Sequence, residues 1–304
     1  MSELDLKKLI SEESYYQAIR ILRSGPLKEE TIIKYLTTAS KLNPKNAVKV
    51  IKNLEKEKFL TSFTINKDGL YYLLVKDFYI IRIPPKDTLD YIQKKSEIPT
   101  SIRDRFLMSV KRFFSSYVSS TKKLKADFER NLIAILVNPE LTNLIDSLRK
   151  KPMDLKSFEK RKSLFGEIKN ILQKYEIIEI YSEGDKLGRS WVFLKTDLQF
   201  NFFFPEYLIK NITENLTNKK INKILALKSL YSLKKSYLIY EKPDMFEELN
   251  KKITAKLDLI NSLEKKGEKP INKANDLKKL YKAIGDFDNR VLWQKKIKEW
   301  QKID

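Results

Sequence analysis

The stretch NPKNAVKVIKNLEKEK, Asn43 to Lys58, runs into the apolar FLTSFTI, residues 59–65, and then the tetrapeptide Asn66-Lys67-Asp68-Gly69. Asn43 is an N-cap residue type, and Pro44 follows at the first helical position, where a missing N–H costs nothing. Ala47, Val50, Ile51 and Leu54 then share one helical face, which leaves Lys45, Lys49, Lys52 and Lys56 on another, bordered by Asn46 and Asn53. Two apolar strands flank an Asp-Gly pair, a hairpin signal because glycine accepts positive φ cheaply.

Working outward, residues 13–24 carry Tyr15, Ala18, Ile19 and Leu22 at helical spacing and stop at Gly25-Pro26. A second helix is predicted over 28–39, with Ile32, Ile33 and Leu36 inward. Three helices followed by a two-stranded wing is the order of a winged helix-turn-helix, ending at Pro84-Pro85. A helix that enters a major groove needs cations for phosphates and amides for base edges, and the Lys and Asn positions supply both. Lys67, in the wing, is placed to reach a phosphate or the minor groove.

The arrangement returns over 127–205, with helices predicted at 127–137, 139–150 and 154–175 and strands flanking Gly184-Asp185-Lys186-Leu187-Gly188. Ile51-Lys52-Asn53-Leu54 aligns with Ile168-Lys169-Asn170-Ile171, and VKDFYIIRIPP aligns in pattern with LKTDLQFNFFFP. That alignment nominates Lys162, Ser163, Lys169, Asn170 and Gln173 as second reader positions, with Arg161 at the helix edge and Lys186 and Arg189 in the second wing. The second face is less cationic, and Gly166 interrupts it.

The expected fold class is mainly α with small β-wings: tandem winged helix-turn-helix units plus a helical C-terminal region. The segments are 1–86 for the first unit, 87–120 for a helical connector, 121–212 for the second unit and 213–304 for the C-terminal helices. The connector contains an amphipathic stretch from Pro99 to Tyr117, and Ser119 to Lys123 is the best candidate hinge. Beyond residue 212, helices are predicted at 219–240, 244–265, 272–284 and 286–301, a region suited to replication or transcription partners or to self-association as a homodimer.

Composition narrows the function classes. The 304 residues hold 61 Lys and Arg against 40 Asp and Glu, a formal charge of +21 that attracts polyanions such as double-stranded DNA. The chain has no Cys and no His, which removes thiolate nucleophiles, imidazole bases and the usual zinc ligand sets. None of the seven Gly residues sits in a phosphate-cradling loop. No enzyme activity, cofactor or metal is therefore expected. Apolar runs fall short of the roughly 18 residues of a membrane span, and the first residues lack a secretory core, so a soluble, cytoplasmic, nucleoid-associated protein is expected.

Two winged helices in one basic chain without an ATPase motif, in a Lys- and Ile-rich composition, resemble the crenarchaeal winged-helix initiator protein over about residues 10–210. That family binds a replication origin and is distantly similar to the eukaryotic replication licensing factor. The resemblance implies origin recognition in double-stranded DNA, with the third helix and wing of each unit as contacts. A winged-helix transcription regulator would use the same DNA chemistry. A protein-binding winged-helix scaffold would leave the Lys45 to Lys56 stripe incidental.

Overall fold

The computed structural model describes residues 2–65, 68–94, 97–119, 126–159, 165–183 and 189–302. It is mainly helical, 68%, with small antiparallel sheets. Among the described residues, no helix is long and apolar enough to cross a membrane.

The first half of the chain gives α1 (Glu3–Ser11), α2 (Glu13–Leu22), β1 (Leu27–Lys28), α3 (Glu29–Ala39), α4 (Pro44–Lys56), β2 (Leu60–Ile65), β3 (Gly69–Leu74) and β4 (Asp77–Ile83). Two connecting helices follow, α5 (Lys86–Lys94) and α6 (Thr100–Ser119). The second half repeats the order with α7 (Ala126–Val137), α8 (Pro139–Lys150), β5 (Met153–Asp154), α9 (Leu155–Glu159), α10 (Phe165–Lys174), β6 (Ile178–Ser182), β7 (Ser190–Leu194) and β8 (Asp197–Phe203). The chain ends with α11 (Tyr207–Thr217), α12 (Lys223–Glu241), α13 (Pro243–Glu264), α14 (Ile271–Ile284) and α15 (Phe287–Lys302).

Each half builds the same three-stranded antiparallel sheet, in order β1-β3-β2 and β5-β7-β6. The short outer strands are absent from the sequence expectation, and they explain two of its differences from the fold. The helix expected over 28–39 starts at Glu29, because Leu27 and Lys28 pair with Tyr72 and Tyr71. Of the helix expected over 154–175, residues 160–164 lie outside the described residues; its start moves to Leu155, because Met153 and Asp154 pair with Val192 and Trp191 and the Asp154 carboxylate accepts from the N–H groups of Lys156 and Ser157 to start α9. The candidate hinge beyond Ser119, from 120 to 123, lies outside the described residues.

Each half adds a further strand, β4 and β8, whose alternation continues that of the wing and so does not mark it off in the sequence. These two strands pair with each other, and Phe78 stacks on Phe200 with ring centroids 5.6 Å apart.

The packing divides the chain into two compact units, both discontinuous in sequence. One holds residues 1–13 and 78–201, the other 14–77 and 202–304. In the first of these, α6 lays Ile102, Phe106 and Val110 on Tyr181, Trp191 and Phe193 of the second half's sheet. Phe106 and Phe193 stack at 4.6 Å. In the other unit, α12 covers the first half's sheet, with Leu225 packed on Ile65 and Tyr71. The second helix after each set of strands, α6 and α12, thus covers the sheet of the other half. Burial of one such Phe, Ile or Leu side chain contributes about 1.5 to 3 kcal/mol, so each sheet depends on a helix distant in sequence.

Helices α13 to α15 form a separate core in that second unit, around Ile260, Leu277, Tyr281 and Trp293. Gly285 joins α14 to α15 at φ 81°, a left-handed conformation that glycine adopts without penalty. A Cβ there would lie 2.6 Å from the backbone of Tyr231 and Lys235 on α12, so the turn packs directly against that helix.

Candidate nucleic-acid interface

Helix α4 begins as its sequence dictates: the Asn43 side-chain Oδ1 accepts from the Asn46 N–H at 2.8 Å, and Pro44 occupies the first turn. Its inner face is sealed, with Ala47, Ile51 and Leu54 fully buried and Val50 nearly so. Lys45, Asn46, Lys49, Lys52 and Lys56 are exposed on the outer face, and Asn53 is half-buried.

Two of these residues are engaged within the protein. The Lys52 ammonium donates to Tyr72 Oη at 2.8 Å and lies 3.6 Å from the Glu55 carboxylate. Its pKa is raised, first by the hydrogen bond to Tyr72 and then by Glu55 and Glu29 nearby, so the charge is firmly held. Asn53 donates from Nδ2 to Tyr15 Oη at 2.8 Å, which binds α4 to α2. Its amide is thus engaged within the protein. Lys45, Asn46, Lys49 and Lys56 project without a described side-chain partner, along about 16 Å of helix. Lys41, exposed at φ 52° in the turn that leads into α4, adds a cation beside the helix start. The sequence signal for it is a basic residue in the turn between the two helices. Lys67, nominated in the wing, lies outside the described residues.

The second half shows a different register from the one expected. Lys58 and Glu176 occupy the same left-handed position after their helices, with φ 63° and 54°. The N–H of Phe59 bonds the carbonyl of Leu54, and that of Ile177 bonds the carbonyl of Leu172. These three pairs, 58 with 176, 59 with 177 and 54 with 172, set an offset of 118, where the ILE/LYS/ASN match implied 117. Burial agrees: Leu172 is fully buried like Leu54, whereas Ile171 is 39% exposed. The identical letters Lys-Asn point one residue astray, since the positions of α10 that face the core are Ile168 and Leu172, not Ile171.

At an offset of 118, Glu167 stands where α4 has Lys49, Asn170 where it has Lys52, Ile171 where it has Asn53 and Lys174 where it has Lys56. Of the nominated second readers, Asn170 and Gln173 are exposed and Lys169 is half-buried. Arg161, Lys162, Ser163 and Lys186 lie outside the described residues. Arg189 is held by its own sheet: Nε donates to Asp154 Oδ2 at 2.8 Å, and the guanidinium lies 4.3 Å from the Trp191 ring centre. That hydrogen bond holds the Asp154 carboxyl below its usual pKa. Among the described residues the two outer faces are therefore electrically unlike, one lysine-rich and one mixed.

Among the described residues, no group of three or more carboxylates is placed to hold a metal ion. Comparison with known protein families, characterised proteins and solved structures finds no match to this chain.

Proposed function

We propose that the chain is a double-stranded DNA-binding protein whose two halves are winged helix-turn-helix units, with α4 of the first half as its main reader. The observation that carries this reading is the exposed set Lys45, Asn46, Lys49 and Lys56, without a side-chain partner among the described residues, on a helix whose opposite face is buried. The matching sheet orders, each with a helix directly before a hairpin, support the winged-helix assignment. A cationic helix beside a hairpin suits phosphate contacts on both sides of a groove. The net charge of +21 adds long-range attraction.

The role proposed for this binding is that of a replication-origin factor acting without chemistry of its own, and a transcription regulator is the second use of the same interface. Anisotropy of a labelled mixed-sequence duplex titrated with the full chain tests the binding. Displacement of counterions from about six phosphates gives a log–log salt slope of roughly −5. Absence of binding at about 50 to 100 mM salt, where such a contact set is strong, overturns the proposal. Genome-wide mapping then separates one clustered locus, expected of an origin factor, from sites spread over promoters.

A further inference from the structure

Helices α13 and α14 carry a second apolar feature beside their shared core. Ile253 and Ile260 point from α13 into that core, fully or nearly buried. One step round the same helix, Ala255 and Leu259 face the other way and line a groove of about 660 Å³ with Leu280 and Ala283 of α14. Leu259 is 41% exposed there, so its side chain is only half covered.

The lining residues recur at spacings of three, four and seven on both helices, so the groove runs for about two helical turns. Alanine on each wall lets a third helix approach closely. Its rim is charged: Lys252, Lys256 and Lys279 surround a single carboxylate, Asp276. Asp276 lies 3.5 Å from Lys256 and 3.8 Å from Lys279 and cannot neutralise three cations. Lys252 meets Glu248 on the solvent side of α13, where both groups are more than half exposed and the pair is readily exchanged.

We infer that this groove docks an acidic amphipathic helix from another protein, with an apolar stripe on the floor and Asp or Glu on the lysine rim. A two-helix groove with a seam of this spacing is the receiving half of helix-in-groove recognition. The rim selects the sign of the partner, because three lysines against the Asp276 and Glu248 carboxylates leave an excess of positive charge. A second copy of this chain is disfavoured by its own charge of +21. Nucleic acid gains nothing from a floor of Ala and Leu, which offers no hydrogen bond. The inference does not depend on DNA binding.

The test uses the full chain and a fluorescein-labelled peptide of about 18 residues, five helical turns, with Leu at the stripe positions and Glu and Ala elsewhere. A scrambled peptide of identical composition keeps the charge and loses the stripe. The striped peptide is expected to bind at least tenfold more tightly than the scrambled one, about 1.4 kcal/mol. Leu259→Asp and Ala283→Trp, which spoil and fill the groove, should each remove that margin. Their thermal unfolding should match that of the parent chain. Equal affinity for the two peptides, no binding of the striped peptide at about 1 mM, or wild-type binding by both variants would overturn the inference.

Discussion

The Arg23 guanidinium grips the Asp77 carboxylate through Nε and Nη2 at 3.0 to 3.1 Å, and Asp77 is buried at 2% exposure. Tyr207 donates its hydroxyl to the same carboxylate at 2.7 Å, which binds α11 to the first half's strands. Arg149 and Asp197 repeat the pair in the other unit. Removing one partner strands a desolvated charge, so Arg23→Ala is expected to cost about 3 kcal/mol or more. Urea unfolding measures it. A loss below about 1 kcal/mol would place the pair with ordinary surface bridges.

Because α12 covers the first half's sheet, removing residues 202–304 is expected to unfold the unit that holds residues 14–77. A fragment of residues 1–201 lacks α12, which covers Ile65 and Tyr71, and should leave the 14–77 segment unfolded or aggregated. Adding residues 202–304 in trans should restore cooperative unfolding and amide-exchange protection of β2 and β3. Stable protection of those strands in the 1–201 fragment alone would refute the dependence.

Gly285 permits no side chain. Alanine there combines a positive φ with a Cβ 2.6 Å from the α12 backbone, for an expected loss of roughly 2 to 4 kcal/mol. Gly267 has the same φ of 81° but open space around it, so Gly267→Ala should cost only about 1 kcal/mol. Comparison of the two variants by thermal unfolding separates steric from conformational strain.

Desolvation pushes the Tyr181 phenol up to about 12, above the usual value of 10. A raised pKa means that the stabilising contribution is complete below pH 10 and is lost as pH rises toward 12, because the unfolded phenol ionises first. Stability should therefore fall between pH 10 and 12, and Tyr181→Phe should flatten that decline. Ultraviolet titration at the tyrosinate band, with the variant as reference, reads both effects.

On α4, the internal bonds predict different roles for neighbouring residues. Lys49→Ala should weaken duplex binding and reduce the salt slope by about 0.9, the share of one phosphate. Asn53→Ala should instead lower stability by about 1 kcal/mol through loss of its bond to Tyr15, with sequence preference unchanged. Glu167→Lys, which restores a cation at the matching position of α10, tests whether the second face lacks only charge. A relaxed sequence preference in Asn53→Ala with stability intact would return that amide to base reading.

Local chemistry in the sequence was enough to determine α4, since Asn43, Pro44 and the Ala47, Val50, Ile51, Leu54 face specify its start and its buried side without reference to the rest of the chain. The Asp68-Gly69 turn was legible for the same reason, Gly69 adopting φ 116°. The two-residue strands β1 and β5 were not, because two residues hold no periodicity and their pairing with β3 and β7 is set at long range. Nor was the register of α10, where burial of Leu172 rather than the match of letters fixes which residues face outward. Which cations remain available was equally beyond the sequence: Lys49 and Lys52 are alike in composition and spacing, and only the fold brings Tyr72 within 2.8 Å of one of them. Periodicity reports which face of a helix is buried. What that face meets, and which helix covers which sheet, depends on contacts between residues far apart in the chain.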